Sequence, residues 1–173
     1  MVKKAIFILF IFTGLFSCKK EIVKETSTQK VVQVSSVKTY NYSELKPFLE
    51  KKDDKIYVIN FWATWCAPCV KELPYFEKIK QEYANKNVEV LLVSLDFLKQ
   101  VEKKLIPFLN KHKIQSEVVL LDDVNEDFWI KAIDESWSGA LPATIIYSKN
   151  NRKFYEQSFD YKTLERELLT FIN

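Results

Sequence analysis

Two cysteines, Cys66 and Cys69, stand two residues apart within Phe61-Trp62-Ala63-Thr64-Trp65-Cys66-Ala67-Pro68-Cys69. Thiols at that spacing can close a small ring between themselves, and a thiolate is the nucleophile of disulfide exchange. Before the pair, Ile56-Tyr57-Val58-Ile59-Asn60 is apolar and β-branched and reads as a buried strand. After it, Leu73, Phe76 and Ile79 recur at helical spacing. The cysteines therefore fall where a strand ends and a helix begins. Unpaired N–H groups and the macrodipole at a helix start favour negative charge, which lowers the pKa of Cys66 relative to a free thiol. A purely structural disulfide gains least from so short a loop. Zinc wants four ligands, and two cysteines with the single histidine, His112, do not supply them, so no metal site is expected. His112 itself, on a lysine-rich helix, reads as solvated and without a role. Glu72 lies three residues past Cys69 and hence on the same side of the helix. A carboxylate held partly out of water has a raised pKa and can relay a proton; the plain alternative is a surface acid favoured by the helix dipole.

The surrounding elements must position these groups. A chain of 173 residues, 47% hydrophobic and 28% charged, can bury one sizeable core and is not compositionally disordered. A short helix is expected over 42–49, with Ser43 as a possible N-cap. Strands are expected at 56–62, 88–95, 117–121 and 143–147, and helices from the cysteines to about Tyr83, over 99–113, 125–133 and 161–172. Pro74 should kink the first long helix. A turn at Ser148-Lys149-Asn150-Asn151 should return the chain as an antiparallel partner over 153–157. Alternating strands and helices argue for an α/β domain, a central mixed β-sheet with helices on both faces.

The N-terminus reads differently. Met1-Val2-Lys3-Lys4 is basic, residues 5–16 are almost wholly apolar, and Leu15-Phe16-Ser17-Cys18 resembles the bacterial lipobox. The 13 residues before Cys18 are too few to span a bilayer, which needs about 20. The expectation is a lipoprotein signal peptide over 1–17, lipidation at Cys18, and a polar tether over 18–36 to a domain at 37–173. A plain signal peptide with an incidental cysteine is the alternative. Val31, Val32 and Val34 could instead form a first edge strand. Lys3 and Lys4 lie in the leader, so the remainder carries 24 basic against 23 acidic side chains. So even a balance gives no reason to expect nucleic-acid binding.

The stretch Val58-Ile59-Asn60-Phe61-Trp62-Ala63-Thr64-Trp65-Cys66-Ala67-Pro68-Cys69 closely resembles the active-site strand and turn of thioredoxin-fold proteins. The strongest likeness is to the TlpA/ResA-like group of membrane-tethered thiol–disulfide oxidoreductases. Gly139-Ala140-Leu141-Pro142-Ala143-Thr144 resembles that family's cis-proline loop. The resemblance implies a thioredoxin-like fold and makes Cys66 the nucleophile, Cys69 the resolving thiol and Glu72 the proton relay. It also implies a cis Pro142, with Trp65, Leu141 and Pro142 meeting an extended substrate. Asn60 stands where thioredoxin has a buried aspartate, which strengthens Glu72 as relay. Trp62 reads as core and Trp137 as either core or groove wall. Ala67-Pro68 is close to the Gly-Pro of reducing thioredoxins, so a reductant is expected. The implied setting is a monomer in the cell envelope facing the periplasm. It would need no cofactor beyond the Cys66–Cys69 disulfide. Its partners would be a membrane thiol donor and exported protein clients such as apocytochrome c. Two other functions on this fold compete: a copper-binding chaperone, which has wider cysteine spacing and an added histidine, and a thiol peroxidase, which wants Thr-x-x-Cys where this chain has Thr64-Trp65-Cys66.

Overall fold

The computed structural model describes residues 33–172. Cys18, the leader over 1–17 and most of the 18–36 tether lie outside the described residues. Among the described residues six strands form one sheet: β1 (Lys38–Tyr40), β2 (Ile56–Trp62), β3 (Val88–Ser94), β4 (Glu117–Leu121), β5 (Ala143–Tyr147) and β6 (Arg152–Tyr155). Their order is β1-β4-β3-β2-β5-β6, parallel from β1 through β2 and antiparallel from there. The central strand β2 is buried along all seven residues, as a strand covered on both faces must be.

Five α-helices among the described residues accompany the sheet: α1 (Tyr42–Leu49), α2 (Ala67–Glu82), α3 (Ile106–His112), α4 (Glu126–Ile133) and α5 (Tyr161–Leu169). Strand alternation divides the core. Ile56, Val58 and Trp62 pack with Leu73 and Phe76 of α2, Leu109 of α3 and Leu164 of α5. Tyr57, Ile59 and Phe61 point the other way, to Leu45 of α1 and Trp129 of α4. Asn60 shares the α2 face by the same alternation.

Several expectations change in detail. The N-cap of α1 is Asn41 rather than Ser43, because only Asn41 has a glutamate three residues on. Asn41 accepts from the Glu44 N–H and its own N–H donates to the Glu44 carboxylate, each at 3.0 Å. The first edge strand among the described residues is Lys38–Tyr40 and does not include Val34; Val31 and Val32 lie outside the described residues. Among the described residues, Val34 is clamped outside any strand, its N–H and C=O both bonded to the Asn110 side chain at 2.8 and 2.9 Å. The expected helix over 99–113 is a 3-10 turn, a π turn over Val101–Leu105, and α3. Pro107 has no N–H to give Lys103, and the chain widens ahead of it so that the Ile106 N–H reaches back five residues to Val101. The last helix stops at Leu169, where the Thr170 hydroxyl caps the Glu167 carbonyl at 2.7 Å. The hairpin partner is 152–155, closed by Ser148 N–H to the Asn151 carbonyl at 2.8 Å.

Candidate active site

Strand β2 delivers the chain into a turn in which the Cys66 N–H bonds the Ala63 carbonyl at 3.1 Å. Cys66 is then the N-cap of α2, and its Sγ accepts the Cys69 N–H at 3.3 Å. Pro68 sits in the first helical turn, where its missing N–H costs nothing. Cys66 and Cys69 are joined as a disulfide. Their exposures separate their chemistry: Cys66 retains 6% and Cys69 none. Cys66 lies on a cleft of about 1060 Å³, beside Trp65, Pro68 and Leu141. Trp65 is 57% exposed on its rim, whereas Trp62 is fully buried in the core.

Asp96, two residues past β3, holds the turn from the other side. Its carboxylate accepts the Thr64 N–H at 3.0 Å, the Thr64 hydroxyl at 2.5 Å and the Ser94 hydroxyl at 2.8 Å. The Thr64 hydroxyl therefore spends its proton on Asp96.

Glu72 is completely buried one turn along α2 from Cys69. Its Oε2 accepts the Phe159 N–H at 2.7 Å and the Ser158 hydroxyl at 3.1 Å; its Oε1 accepts Asn60 Nδ2 at 3.0 Å. Burial pushes the carboxyl above its ordinary pKa, against the pull of those three donors. Asn60 Nδ2 also reaches Thr144 Oγ1 at 3.1 Å, tying α2 through β2 to β5, while the buried Asn60 Oδ1 has no partner. Turning that amide over would set Oδ1 against Glu72 and let a protonated carboxyl donate to it.

The Leu141–Pro142 peptide is cis. The register Phe61↔Ala143 brings this loop to the sheet end that carries Cys66. Trp137 is fully buried, not a groove wall, and its Nε1 donates to the Ala140 carbonyl at 2.9 Å. His112 is exposed, its ring stacked on Phe108 at 4.1 Å. Among the described residues no three His, Cys, Asp or Glu side chains gather as a metal set.

Residues 35–152, more than half of the chain, match the AhpC/TSA family. The chain belongs to the AhpC/TSA family. Relatives of this family member include the thioredoxin-like protein YneN of Bacillus subtilis, 30% identical over 106 residues, 61% of this chain and 62% of YneN. The thiol–disulfide oxidoreductase ResA of Bacillus thuringiensis is 30% identical over 108 residues, 62% of this chain and 57% of ResA. The chain thus spans less than two thirds of either relative. A solved thiol:disulfide interchange protein of Chlorobium tepidum superposes with a TM-score of 0.59 at 16% identity, covering 74% of this chain and 85% of that one. That likeness establishes the thioredoxin-like fold for this AhpC/TSA-family chain.

Cys66, Cys69, Trp65, Leu141 and Pro142 meet at one end of the sheet, and Glu72 lies beneath. Asp96 is absent from the site expected from sequence, and Trp137 enters there as core or groove wall without its bond to the Ala140 carbonyl. An acid following an apolar strand was the available signal for Asp96; nothing local marks Trp137 as a bond to Ala140.

Proposed function

We propose that this chain is a thiol–disulfide oxidoreductase that reduces disulfides of exported proteins through Cys66 and Cys69. The observation that carries the reading is the unequal placement of the two sulfurs, Cys66 on the cleft and Cys69 sealed behind it. In the reduced protein the Cys69 N–H that now meets Cys66 Sγ favours a thiolate there. That thiolate attacks one sulfur of a substrate disulfide, and the other substrate sulfur leaves as a thiol. Cys69 gives up its proton, for which Glu72 is the relay, and attacks Cys66. The second substrate thiol leaves, and the Cys66/Cys69 dithiol, having supplied two electrons, is left as the Cys66–Cys69 disulfide. A membrane thiol donor restores the dithiol; no further cofactor takes part. Trp65, Leu141 and Pro142 hold the client as an extended segment.

The setting follows the N-terminal reading. Residues 1–17 direct export, Cys18 carries the lipid, and a polar tether leaves the domain facing the periplasm as a monomer. Apocytochrome c belongs among the clients, as in the TlpA/ResA-like group. Palmitate incorporation that is lost in Cys18→Ala tests the anchor, and no incorporation into the parent chain overturns it.

A peroxidase reading is disfavoured by the Thr64 hydroxyl, which is committed to Asp96 rather than free to hold a peroxide. A copper chaperone would bind Cu(I) one to one. The deciding experiment is Cys69→Ser in cells. Mixed disulfides should accumulate on Cys66 and vanish when Cys66 is also changed to Ser. Retained disulfide reduction by Cys66→Ser overturns the assignment.

A further inference from the structure

We propose that Glu156 is a positioning residue for the docking loop, fixing which main-chain groups of residues 138–142 remain free to pair with an incoming polypeptide. The inference rests on Cys66 being the nucleophile and Leu141 the docking edge.

The loop between α4 and β5 has no helix or strand of its own to hold it, and at Gly139 it passes through φ 92°, a conformation that favours glycine. Side chains hold it instead. Glu156 follows β6, and the register Thr144↔Tyr155 sets it level with the loop at the active-site end of the sheet. Glu156 Oε2 accepts the Ser138 N–H at 3.1 Å, and Oε1 accepts the Ala140 N–H at 3.1 Å together with the Ser138 hydroxyl. Three donors on one carboxylate make charge-assisted bonds, stronger than neutral ones. The Ser138 hydroxyl, above all other neighbours, holds Glu156 below the usual carboxylate range, so it is ionised at neutral pH.

The consequence is a choice of register. Ala140 has its N–H on Glu156 and so cannot donate to a substrate, and its C=O already accepts from Trp137. Pro142 has no N–H. Among the described residues, neither main-chain group of Leu141 has a hydrogen-bond partner. A client strand reaching this edge therefore finds both main-chain groups of Leu141 open directly beside the cleft that holds Cys66, while Glu156 closes the Ala140 N–H that stands between Leu141 and the likewise unbonded Gly139. Without Glu156, Ala140 regains a free N–H, the loop loses its anchor on β6, and a client can pair one residue out of step. A one-residue slip turns the client's side chains over, carrying its disulfide away from Cys66.

The test uses Glu156→Ala and Glu156→Gln in the full chain, with two substrates: a peptide disulfide long enough to pair with the loop, and a small aryl disulfide that is not. Glu156→Ala should raise KM for the peptide about tenfold, the scale of one to two lost hydrogen bonds. Its kcat, its aryl-disulfide rate and its Cys66 alkylation rate should match the parent. Glu156→Gln keeps one acceptor and should show a smaller rise in the same direction. If both substrates slow together, or if peptide KM is unchanged in both variants, the positioning role is overturned. A parent chain that exchanges with neither substrate overturns the Cys66 chemistry as well, a failure distinct from loss of the peptide-specific effect.

Discussion

Glu72 is pulled two ways. Burial disfavours its charge, while Phe159, Ser158 and Asn60 all point donors at it, and burial wins. Its pKa is higher folded than unfolded, so between those two values the folded protein holds the extra proton. Stability is then greatest below the unfolded value, near 4.3 for a free glutamate, and falls as pH rises through the folded one. Denaturant unfolding of the oxidised protein across that range should show the decline, and Glu72→Gln should flatten it. Glutamine can still accept from Phe159 with its oxygen and give its amide to Asn60 Oδ1, which now lacks a partner. An unchanged slope in the variant would mean that the carboxylate is not the titrating group. The same variant should lose an inflection in the pH profile of Cys69 reactivity if the proton leaves through Glu72. The sequence spacing made Glu72 a candidate, but not the depth of its burial. Two of its partners lie at 158 and 159, joined to it only once α5 docks on α2.

Elements with a continuous apolar run were legible: β2 and β3 each follow from their own residues. Strand β1 was not, because Lys-Thr-Tyr has no apolar pattern and exists through its pairing Lys38↔Val119 with β4. The break ahead of α3 was hidden in a helical period that Pro107 interrupts. The turn between β2 and α2 depends on a side chain from another element, Asp96 at the end of β3. Asp96→Ala strands the Thr64 N–H and hydroxyl in a partly buried site, and should lower the unfolding free energy by about 2–3 kcal/mol. Asp96→Asn keeps one acceptor and should lose less. Equal stability of all three by thermal and denaturant melts would show that the clamp does not hold the turn. The turn carries Cys66, so the alanine variant should also slow exchange with any disulfide, small or large. That pattern sets it apart from Glu156, whose loss should be felt by long substrates alone.

At the scale of the molecule the formal charge is small, +3 over the whole chain. The cleft does not share that balance. Its charged lining is Asp96, Asp122, Asp123 and Glu126 against Lys99 alone. Asp96 is engaged within the fold, and Asp123 is held ionised by the Tyr42 and Asn125 N–H groups. Low-dielectric walls concentrate such a field, and the exposed Trp65, Phe97 and Leu98 supply apolar contact beside it. Peptide disulfides of equal length bearing Lys near the cysteine should therefore show higher kcat/KM than those bearing Glu. The difference should be several-fold at low ionic strength and shrink in about 1 M salt, where the screening length falls to about 3 Å. Asp122→Lys with Glu126→Lys should narrow or invert the preference while leaving small-disulfide exchange intact, since neither side chain bonds the cysteine turn. A preference insensitive to both salt and reversal would assign client choice to shape rather than charge. The cleft would then select through the apolar rim and the Leu141 edge alone.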